Sequence, residues 1–303
     1  AKQLGILESE DQAITGAQLD HISDEEFEKM IENIKVYARV QPEHKTRIVK
    51  MWKKKGMVTA MTGDGVNDAP SIKSADIGVG MGITGTDVTK NVADMVLADD
   101  NFATIVSAVE EGRRVYDNIL KVIQFLLSSN LAEVIAIFVA TLIGFQILRP
   151  VHILWINLIT DSIPALALGV EKAEGDLMKR KPRDPNSHIF ADGMGFDIGY
   201  QGVMIAIVTL VSYFVGHYLE AGRWEITQSP DGVTMAFLTL SMAEIFHSIN
   251  MRSRRNSIFS MHSINKFLIL AMVIALILTT GVIEIPSIAS LFEFETISLN
   301  EYM

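Results

Sequence analysis

The chain has 303 residues, a formal net charge of −10 and no cysteine. Without cysteine it can form neither disulfides nor thiolate metal sites, and its acidic balance argues against nucleic acid as a partner. With 49% hydrophobic and 20% charged residues, it is too apolar for an ordinary soluble domain and too charged for a membrane bundle alone. The two compositions separate along the sequence, which predicts a polar portion over residues 1–118 and a membrane portion over residues 119–303.

The polar portion alternates helical patterns with short apolar segments. Ser23 and Glu26 form a capping-box pattern that predicts the start of one helix, and Pro42 predicts the start of another, ending near Gly56. The apolar segment 57–61 indicates a buried strand. Further strand candidates are 36–40, 77–81 and 94–97. Because strands alternate with helices, the pattern predicts a parallel α/β sheet.

The string TGDGVNDAP, residues 62–70, follows one of these strand candidates directly. Ligands of α/β sheets bind at the carboxyl ends of strands, and Gly63 and Gly65 permit a tight turn there. Asp64 and Asp68 are four positions apart, so both carboxylates can face one cation, and hard oxygen ligands suit Mg²⁺ beside a phosphate. The alternative is a polar turn in which Asp68 only caps the next helix.

A helical pattern without proline begins after Asn101 and continues into the first long apolar run. A helix over residues 101–133 would be roughly 48 Å long, at a rise of about 1.5 Å per residue. The pattern therefore predicts one continuous helix shared by the polar portion and the first membrane span.

The membrane portion contains repeated apolar runs of the length that crosses a bilayer. The five predicted spans cover approximately residues 122–143, 153–170, 196–219, 233–250 and 264–283. A polytopic bundle of transmembrane α-helices is therefore expected after the α/β portion, in contact with membrane lipid.

Loop charges predict how the spans are oriented. The loops 171–193 and 251–263 are rich in lysine and arginine, whereas the loops on the opposite side carry only Arg149 and Arg223. Positive residues favour the cytoplasmic side of a membrane. This predicts a multi-pass integral membrane protein whose α/β portion lies in the cytoplasm, with the plasma membrane as its location if the source is bacterial.

Acidic residues lie well inside three of the predicted spans, namely Glu133, Asp161 and Glu244. A charged side chain near the centre of a membrane helix costs roughly 2.5–3.5 kcal/mol on insertion scales. Three acids in one bundle would also repel each other without a cation or proton between them. The sequence therefore predicts a shared ion site.

Uncharged polar residues accompany these acids at helical spacing. Asn130 lies three positions before Glu133, and Asn157 and Thr160 precede Asp161 by four positions and one position. Pro164 has no N–H to donate to the carbonyl of Thr160, which makes that oxygen a candidate ligand. An oxygen-only set favours a hard ion over Zn²⁺ or Cu⁺. The alternative for the amides and the hydroxyl is helix packing.

The string TGDGVNDAP, together with HK at 44–45 and DIGVGMGITGTDV at 76–88, resembles the phosphorylation domain of P-type cation-transporting ATPases, which are members of the haloacid dehalogenase superfamily. The resemblance implies that Asp64 binds Mg²⁺ and that Asn67 and Asp68 support the phosphorylated site. It also implies that Lys45 contacts the phosphoryl group. Phosphoryl transfer needs this combination of metal and positive charge.

The strings SSNLAEV and WINLITDSIPALALG resemble the fifth and sixth spans of calcium pumps of the sarcoplasmic/endoplasmic-reticulum type. The resemblance implies that Ca²⁺ is the transported ion, with Asn157 and Asp161 contributing to a second Ca²⁺ site. Ser162 stands where the family usually has glycine. The first Ca²⁺ site implied by the resemblance comprises Asn130, Glu133, Thr160, Asp161 and Glu244.

The aspartate nucleophile of this family lies in a D-K-T-G-T string, which does not occur in these 303 residues. We therefore expect the last third of a monomeric pump, which needs the N-terminal part of the same protein for ATP binding and is inactive alone. Two alternatives remain open. One is a pump for Mn²⁺ or a monovalent cation, and the other is a non-pumping phosphatase-like domain anchored to a passive ion-binding bundle.

Overall fold

The computed structural model describes residues 1–184, 187–261, 263–295 and 297. The chain divides into two compact units, Ala1–Val109 and Glu110–Met303. This division falls before the predicted boundary at 118/119, because residues 110–118 of the long helix after Asn101 belong to the second unit.

The N-terminal half of the first unit is a small α/β layer. Its two strands are parallel, with Ile14 paired to Tyr37. Helix and strand ends follow local signals: Ser23 and Glu26 make the predicted capping box, and Pro42 occupies the first turn of its helix. The elements are β1 (Ala13–Thr15), α1 (Gly16–Asp20), α2 (Asp24–Met30), β2 (Val36–Ala38) and α3 (Pro42–Lys54).

The second half of the unit holds a three-stranded parallel sheet in the order β3-β4-β5. The sheet core is formed by Val79 and Leu97, with Ile105 packed against them. Two short helices connect the strands. The elements are β3 (Ala60–Gly63), α4 (Ala69–Ser74), β4 (Ile77–Met81), α5 (Asp87–Val92) and β5 (Met95–Leu97).

The prediction of a buried strand over 57–61 is wrong at its start. Met57 and Val58 are 50% and 41% exposed, and ladder pairing begins only at Ala60 opposite Ile77. Before that point, the N–H of Thr59 donates to the Asp76 carboxylate at 2.8 Å instead of to a strand. Among the described strands β3 lies at the edge of its sheet, so its apolar residues are covered on fewer sides than the pattern suggested.

The second unit contains helices that are long and apolar enough to cross a membrane. The first of them, α6 (Phe102–Ile143), begins in the first unit and continues into the second. The five predicted spans overlap them one to one. Among these helices α10 (Pro230–Asn250) has the largest buried share of its apolar stretch. A short helix, α12 (Pro286–Phe292), follows the last of them. Within the described residues the candidate spans are α6 (Phe102–Ile143), Pro150–Gly169, α9 (Met194–Ala221), α10 (Pro230–Asn250) and α11 (Lys266–Glu284).

The second span is not a uniform α-helix. It consists of α7 (Pro150–Trp155), a π-helical turn (Ile156–Asp161) and α8 (Ser162–Gly169). Turns of this kind are rare and often lie at functional sites. All the polar residues predicted for this span lie in the π-helical turn.

A buried ion-pair cluster around Glu171 connects loops of the second unit with the ends of its helices. The Glu171 side chain is fully buried and accepts hydrogen bonds from Arg252 at 3.0 and 3.1 Å and from Asn265 at 2.8 Å. Its backbone carbonyl accepts a bond from Asn118 of α6 at 2.8 Å. Although burial would raise the pKa of the Glu171 carboxyl, Arg252 and Asn265 hold that pKa below its usual value.

Candidate ion and phosphate sites

Three carboxylates are buried inside the helix bundle of the second unit. Glu133, Asp161 and Glu244 are 4%, 1% and 0% exposed. They come from α6, the π-helical turn and α10, and they lie close enough to one another to interact electrostatically. Tertiary packing therefore brings together the three acids that the sequence predicted for one site.

The π-helical turn contacts the acids of both neighbouring helices. The Asn157 amide donates to both oxygens of the Glu133 carboxylate at 3.2 Å. On the other side, the Thr160 hydroxyl lies 3.5 Å from a carboxylate oxygen of Glu244. The turn thus places one amide, one hydroxyl and its own acid, Asp161, between α6 and α10.

Several buried oxygens at this site have no hydrogen-bond partner among the described residues. They include both carboxylate oxygens of Asp161 and one of Glu244, and the hydroxyls of Ser129 and Ser241 are unpartnered as well. Burying an ionised carboxylate without a donor is strongly unfavourable. The arrangement therefore fits a bound cation or proton, and its oxygen-only chemistry fits a hard cation.

The acids alone do not form a metal centre. Within the described part of the chain, no group of three or more acidic or histidine side chains is arranged to hold a metal ion. A cation at this site would therefore need the amide and hydroxyl oxygens of Asn157 and Thr160, or further ligands, besides the carboxylates.

Asn130 is not brought to the cluster. Its side chain is exposed, and its amide donates to the carbonyl of Leu126 in the same helix at 2.7 Å. Residues three positions apart on a helix differ by about 60° in direction. Glu133 therefore faces the bundle interior while Asn130 lies at its margin, and the role of Asn130 as a ligand stays a prediction.

The predicted phosphate site contains a short ion pair. The Lys45 ammonium of α3 donates to the Asp68 carboxylate at 2.5 Å, and the N–H of Gly65 donates to its other oxygen at 3.3 Å. Burial alone would raise the pKa of Asp68, but the hydrogen bonds from Lys45 and Gly65 outweigh it and hold the pKa below its usual value. Lys45 and Asp68 therefore form one charged unit across 23 positions of sequence.

The other two predicted residues line the open side of the same turn. Asp64 and Asn67 are exposed, and the described residues provide no hydrogen-bond partner for their side chains. A Cβ added at Gly63 would lie 2.4 Å from that of Asp68, so this turn tolerates only glycine there. An accessible carboxylate beside a lysine-bound one fits Mg²⁺, which usually binds through one or two carboxylates plus water and phosphate.

Comparison with known proteins decides the family. Residues 145–303 match the family model described as cation transporting ATPase, C-terminus. This chain belongs to the cation-transporting ATPases. The described residues contain five candidate membrane-spanning helices, so the chain is an integral membrane protein. The resemblance predicted from the motifs is thereby confirmed at the level of the family.

Curated relatives match along almost the whole chain. It is 46% identical to calcium-transporting ATPase 1 of Bacillus cereus, over 100% of this chain and 35% of the relative. The calcium-transporting ATPase of Bacillus subtilis is 42% identical, over 100% and 34%. The calcium-transporting ATPase type 2C member 1 of Pongo abelii is 36% identical, over 99% and 32%. The chain spans about a third of the length of these relatives.

Two further residues carry unpartnered buried oxygens, although the motifs did not single them out. Ser129 precedes Glu133 by four positions, and Ser241 precedes Glu244 by three. Both spacings put a hydroxyl on the same helix face as an acid. Helical spacing from each acid was therefore the signal that would have identified them.

Proposed function

We propose that this chain supplies the phosphoryl-transfer site and most of the ion site of an ATP-driven Ca²⁺ pump. The observation that carries the proposal is the set of buried carboxylate oxygens of Asp161 and Glu244 that have no partner among the described residues. Such oxygens are suited to a hard cation that enters and leaves, because a permanent structural role would have given them donors. The relatives from Bacillus cereus and Bacillus subtilis are calcium-transporting ATPases, which supports Ca²⁺ as that cation.

On the first unit, we propose a haloacid-dehalogenase-like site that forms and breaks an aspartyl-phosphate. Asp64, with Asn67 beside it, would hold Mg²⁺, which would neutralise charge on the transferred phosphoryl group. Lys45 brings positive charge to the same turn and keeps Asp68 ionised. The nucleophilic aspartate and the ATP-binding residues would belong to a part of the pump outside these 303 residues.

The proposal also includes coupling and location. Helix α6 continues without interruption from Phe102 to Ile143 and carries Glu133, so it provides a covalent route for passing movement to the ion site. The first unit and the basic loops would lie on the cytoplasmic side. The acids would release Ca²⁺ on the opposite side and take up protons in return.

The ion site is tested by removing charge without removing volume. In the full-length pump, Glu133→Gln and Asp161→Asn should each lower the apparent Ca²⁺ affinity for phosphorylation from ATP by roughly 10- to 100-fold, the loss typical when metal-site partners are removed. Phosphorylation from inorganic phosphate without Ca²⁺ should persist, because it does not require ion binding. Asp197→Asn is a matched control, since this acid lies in the first turn of α9, outside the cluster.

Near-normal Ca²⁺ dependence in both variants would remove these residues from the site. Ion accumulation in vesicles then separates the cations: uptake of Mn²⁺ or a monovalent ion without Ca²⁺ would overturn the calcium assignment. If the unmodified protein forms no phosphoenzyme, the pump itself is disproved, and a passive ion-binding bundle with a phosphatase-like domain becomes the better description.

A further inference from the structure

Asp100 lies immediately before α6 and is held in an uncommon backbone conformation. Its φ is +50°, in the left-handed region, which aspartate and asparagine tolerate better than most residues. The Asp100 carboxylate accepts hydrogen bonds from the backbone N–H groups of Gly82, Ile83 and Thr84 at 2.6, 3.0 and 2.7 Å. The Thr84 hydroxyl donates a fourth bond at 2.7 Å. One carboxylate thus binds three consecutive residues after β4.

These bonds strongly favour the ionised form of Asp100. The N–H of Ile83 contributes most, and with the bonds from Thr84 and Gly82 it holds the pKa of Asp100 at about 2 against the opposing effect of desolvation. Charge-assisted bonds of this kind are stronger than neutral ones. Asp100 is therefore a fixed acceptor for this segment under all ordinary conditions.

In the segment 82–86, which we call the clamp segment, both glycines lie against neighbouring backbone. A Cβ at Gly82 would lie 2.3 Å from the Leu97 carbonyl oxygen, and one at Gly85 would lie 2.0 Å from the Met81 carbonyl oxygen. The backbone therefore has little freedom at these two positions between β4 and α5. A displacement of the residues that bind Asp100 would consequently also displace the end of the segment next to α5.

The far end of the clamp segment contacts the predicted Mg²⁺ ligand. The N–H of Thr86 donates to the backbone carbonyl of Asp64 at 3.0 Å. The Asp64 carboxylate itself is exposed and has no hydrogen-bond partner among the described residues. Its position is consequently set by its backbone, and the bond from Thr86 holds that backbone.

We propose that Asp100 is a positioning residue for Asp64, acting through the clamp segment. The inference rests on the proposed function, because it assumes that Asp64 binds Mg²⁺ during phosphoryl transfer. Mg²⁺ requires near-ideal octahedral geometry, so a ligand whose backbone is loosened binds it less well. The same residue joins the start of α6 to the phosphate site within the first unit.

The chain offers a closely matched pair of variants. Asp100→Asn keeps the size and the tolerance for positive φ, but replaces one accepting oxygen by an NH₂ group. Either the two bonds from Thr84 or the two from Gly82 and Ile83 then lose their acceptor. Asp99→Asn removes the same charge at the neighbouring position, whose carboxylate accepts bonds from Asn101 and Thr104 at the start of α6. Thr84→Val is a milder variant that removes one of the four bonds.

In the full-length pump, Asp100→Asn should raise the Mg²⁺ concentration for half-maximal phosphoenzyme formation by roughly tenfold or more, the usual loss for an outer partner of a metal ligand. The Ca²⁺ dependence should stay unchanged. Thr84→Val should shift the Mg²⁺ requirement in the same direction by a smaller factor, and Asp99→Asn should leave it unchanged within about twofold.

Amide hydrogen exchange in the absence of Mg²⁺ and ATP gives a readout independent of activity. Exchange at Gly82, Ile83, Thr84 and Thr86 should be faster in Asp100→Asn by roughly tenfold, with no change in α3. If the unmodified protein forms no Mg²⁺-dependent phosphoenzyme, the proposed function fails and this role fails with it. If it does form one, equal Mg²⁺ requirements in Asp100→Asn and Asp99→Asn overturn the inference alone. The inference is also overturned if Asp100→Asn raises the Ca²⁺ and Mg²⁺ requirements for phosphoenzyme formation together. If Asp100→Asn does not fold, an unchanged Mg²⁺ requirement in Thr84→Val overturns it.

Discussion

Asp68 shows how a single ion pair sets the protonation state of a buried carboxylate. It is 6% exposed, and burial alone would disfavour its charge. The Lys45 ammonium at 2.5 Å reverses that balance. Only the fold brings the Lys45 ammonium to this carboxylate, which lies 23 positions further along the sequence.

We predict that Lys45→Met lowers the free energy of local opening around the turn 63–68 by about 1–3 kcal/mol, because a buried acceptor loses its donor. Since the pKa of Asp68 is lowered in the folded chain, its contribution is present above the unfolded value of about 3.9 and is lost as the pH falls through the folded value. Hydrogen exchange at pH 7 and at about pH 3, which is below the unfolded value, measures this. The difference between the variant and the parent should shrink at the lower pH.

Lys50→Met is the matched control, since Lys50 is an exposed residue of the same helix. An equal loss of local protection in both variants would mean that a general effect on α3, and not the ion pair, stabilises the turn.

At the scale of elements, the second candidate span shows how one proline changes a helix without ending it. Pro164 cannot donate to the Thr160 carbonyl. The helix responds by widening into the π-helical turn Ile156–Asp161, which is followed directly by α8. The Ser162 hydroxyl donates to the Asn157 carbonyl at 2.7 Å, so it satisfies an oxygen at the start of that turn. Ser162 therefore supports a widened helix that stays continuous.

We predict that Ser162→Ala weakens the π-helical turn by about 0.5–1.5 kcal/mol, the usual net value of one hydrogen bond. Because this turn places Asn157, Thr160 and Asp161, the apparent Ca²⁺ affinity for phosphorylation should fall by a factor of roughly 2 to 12. Thr141→Val is the control, since the Thr141 hydroxyl makes the same kind of bond to a carbonyl in α6, near the end of that helix. Equal affinities in both variants would separate Ser162 from the ion site.

At the scale of the whole molecule, buried charge is used in two different ways. At the ion site the carboxylate oxygens of Asp161 lack donors among the described residues. In the cluster around Glu171, by contrast, Arg252 and Asn265 satisfy the acid completely enough to lower its pKa. Donor-poor acids are suited to a mobile ion, whereas donor-rich acids fix loops in place.

We predict that Arg252→Met destabilises the second unit by about 3–5 kcal/mol, because it leaves Glu171 buried and unpaired. The lowered pKa of Glu171 means that its contribution is present above the unfolded value of about 4.3 and is lost as the pH falls through the folded value. Thermal unfolding in detergent should therefore show a large difference between parent and variant at pH 7 and a smaller one at pH 4.

Arg255→Met removes an exposed arginine of the same loop and should leave the unfolding temperature almost unchanged. Matching losses in the two arginine variants would show that loop charge in general, and not the pair with Glu171, provides the stability.

Features that depend on local composition could be predicted from the amino-acid sequence without the structure. Runs of about 18–25 apolar residues specify membrane-crossing helices. The string around Asp64 specifies a turn after a strand, and acids inside apolar runs indicate a site, because their burial is costly wherever they face. Residue type and spacing are sufficient for such conclusions, and the structure left them unchanged.

Which side chains contact each other depends on the tertiary packing of the chain. Helical spacing placed Asn130 and Glu133 on neighbouring parts of one helix face, yet only Glu133 reaches the other acids. Edge exposure moved the start of β3, and the bonds that Asp100 accepts from the clamp segment cross 16 to 18 positions of sequence. The physical reason is that periodicity fixes a helix face or a strand phase, whereas the rotation of each element against its neighbours depends on the packing of the whole chain.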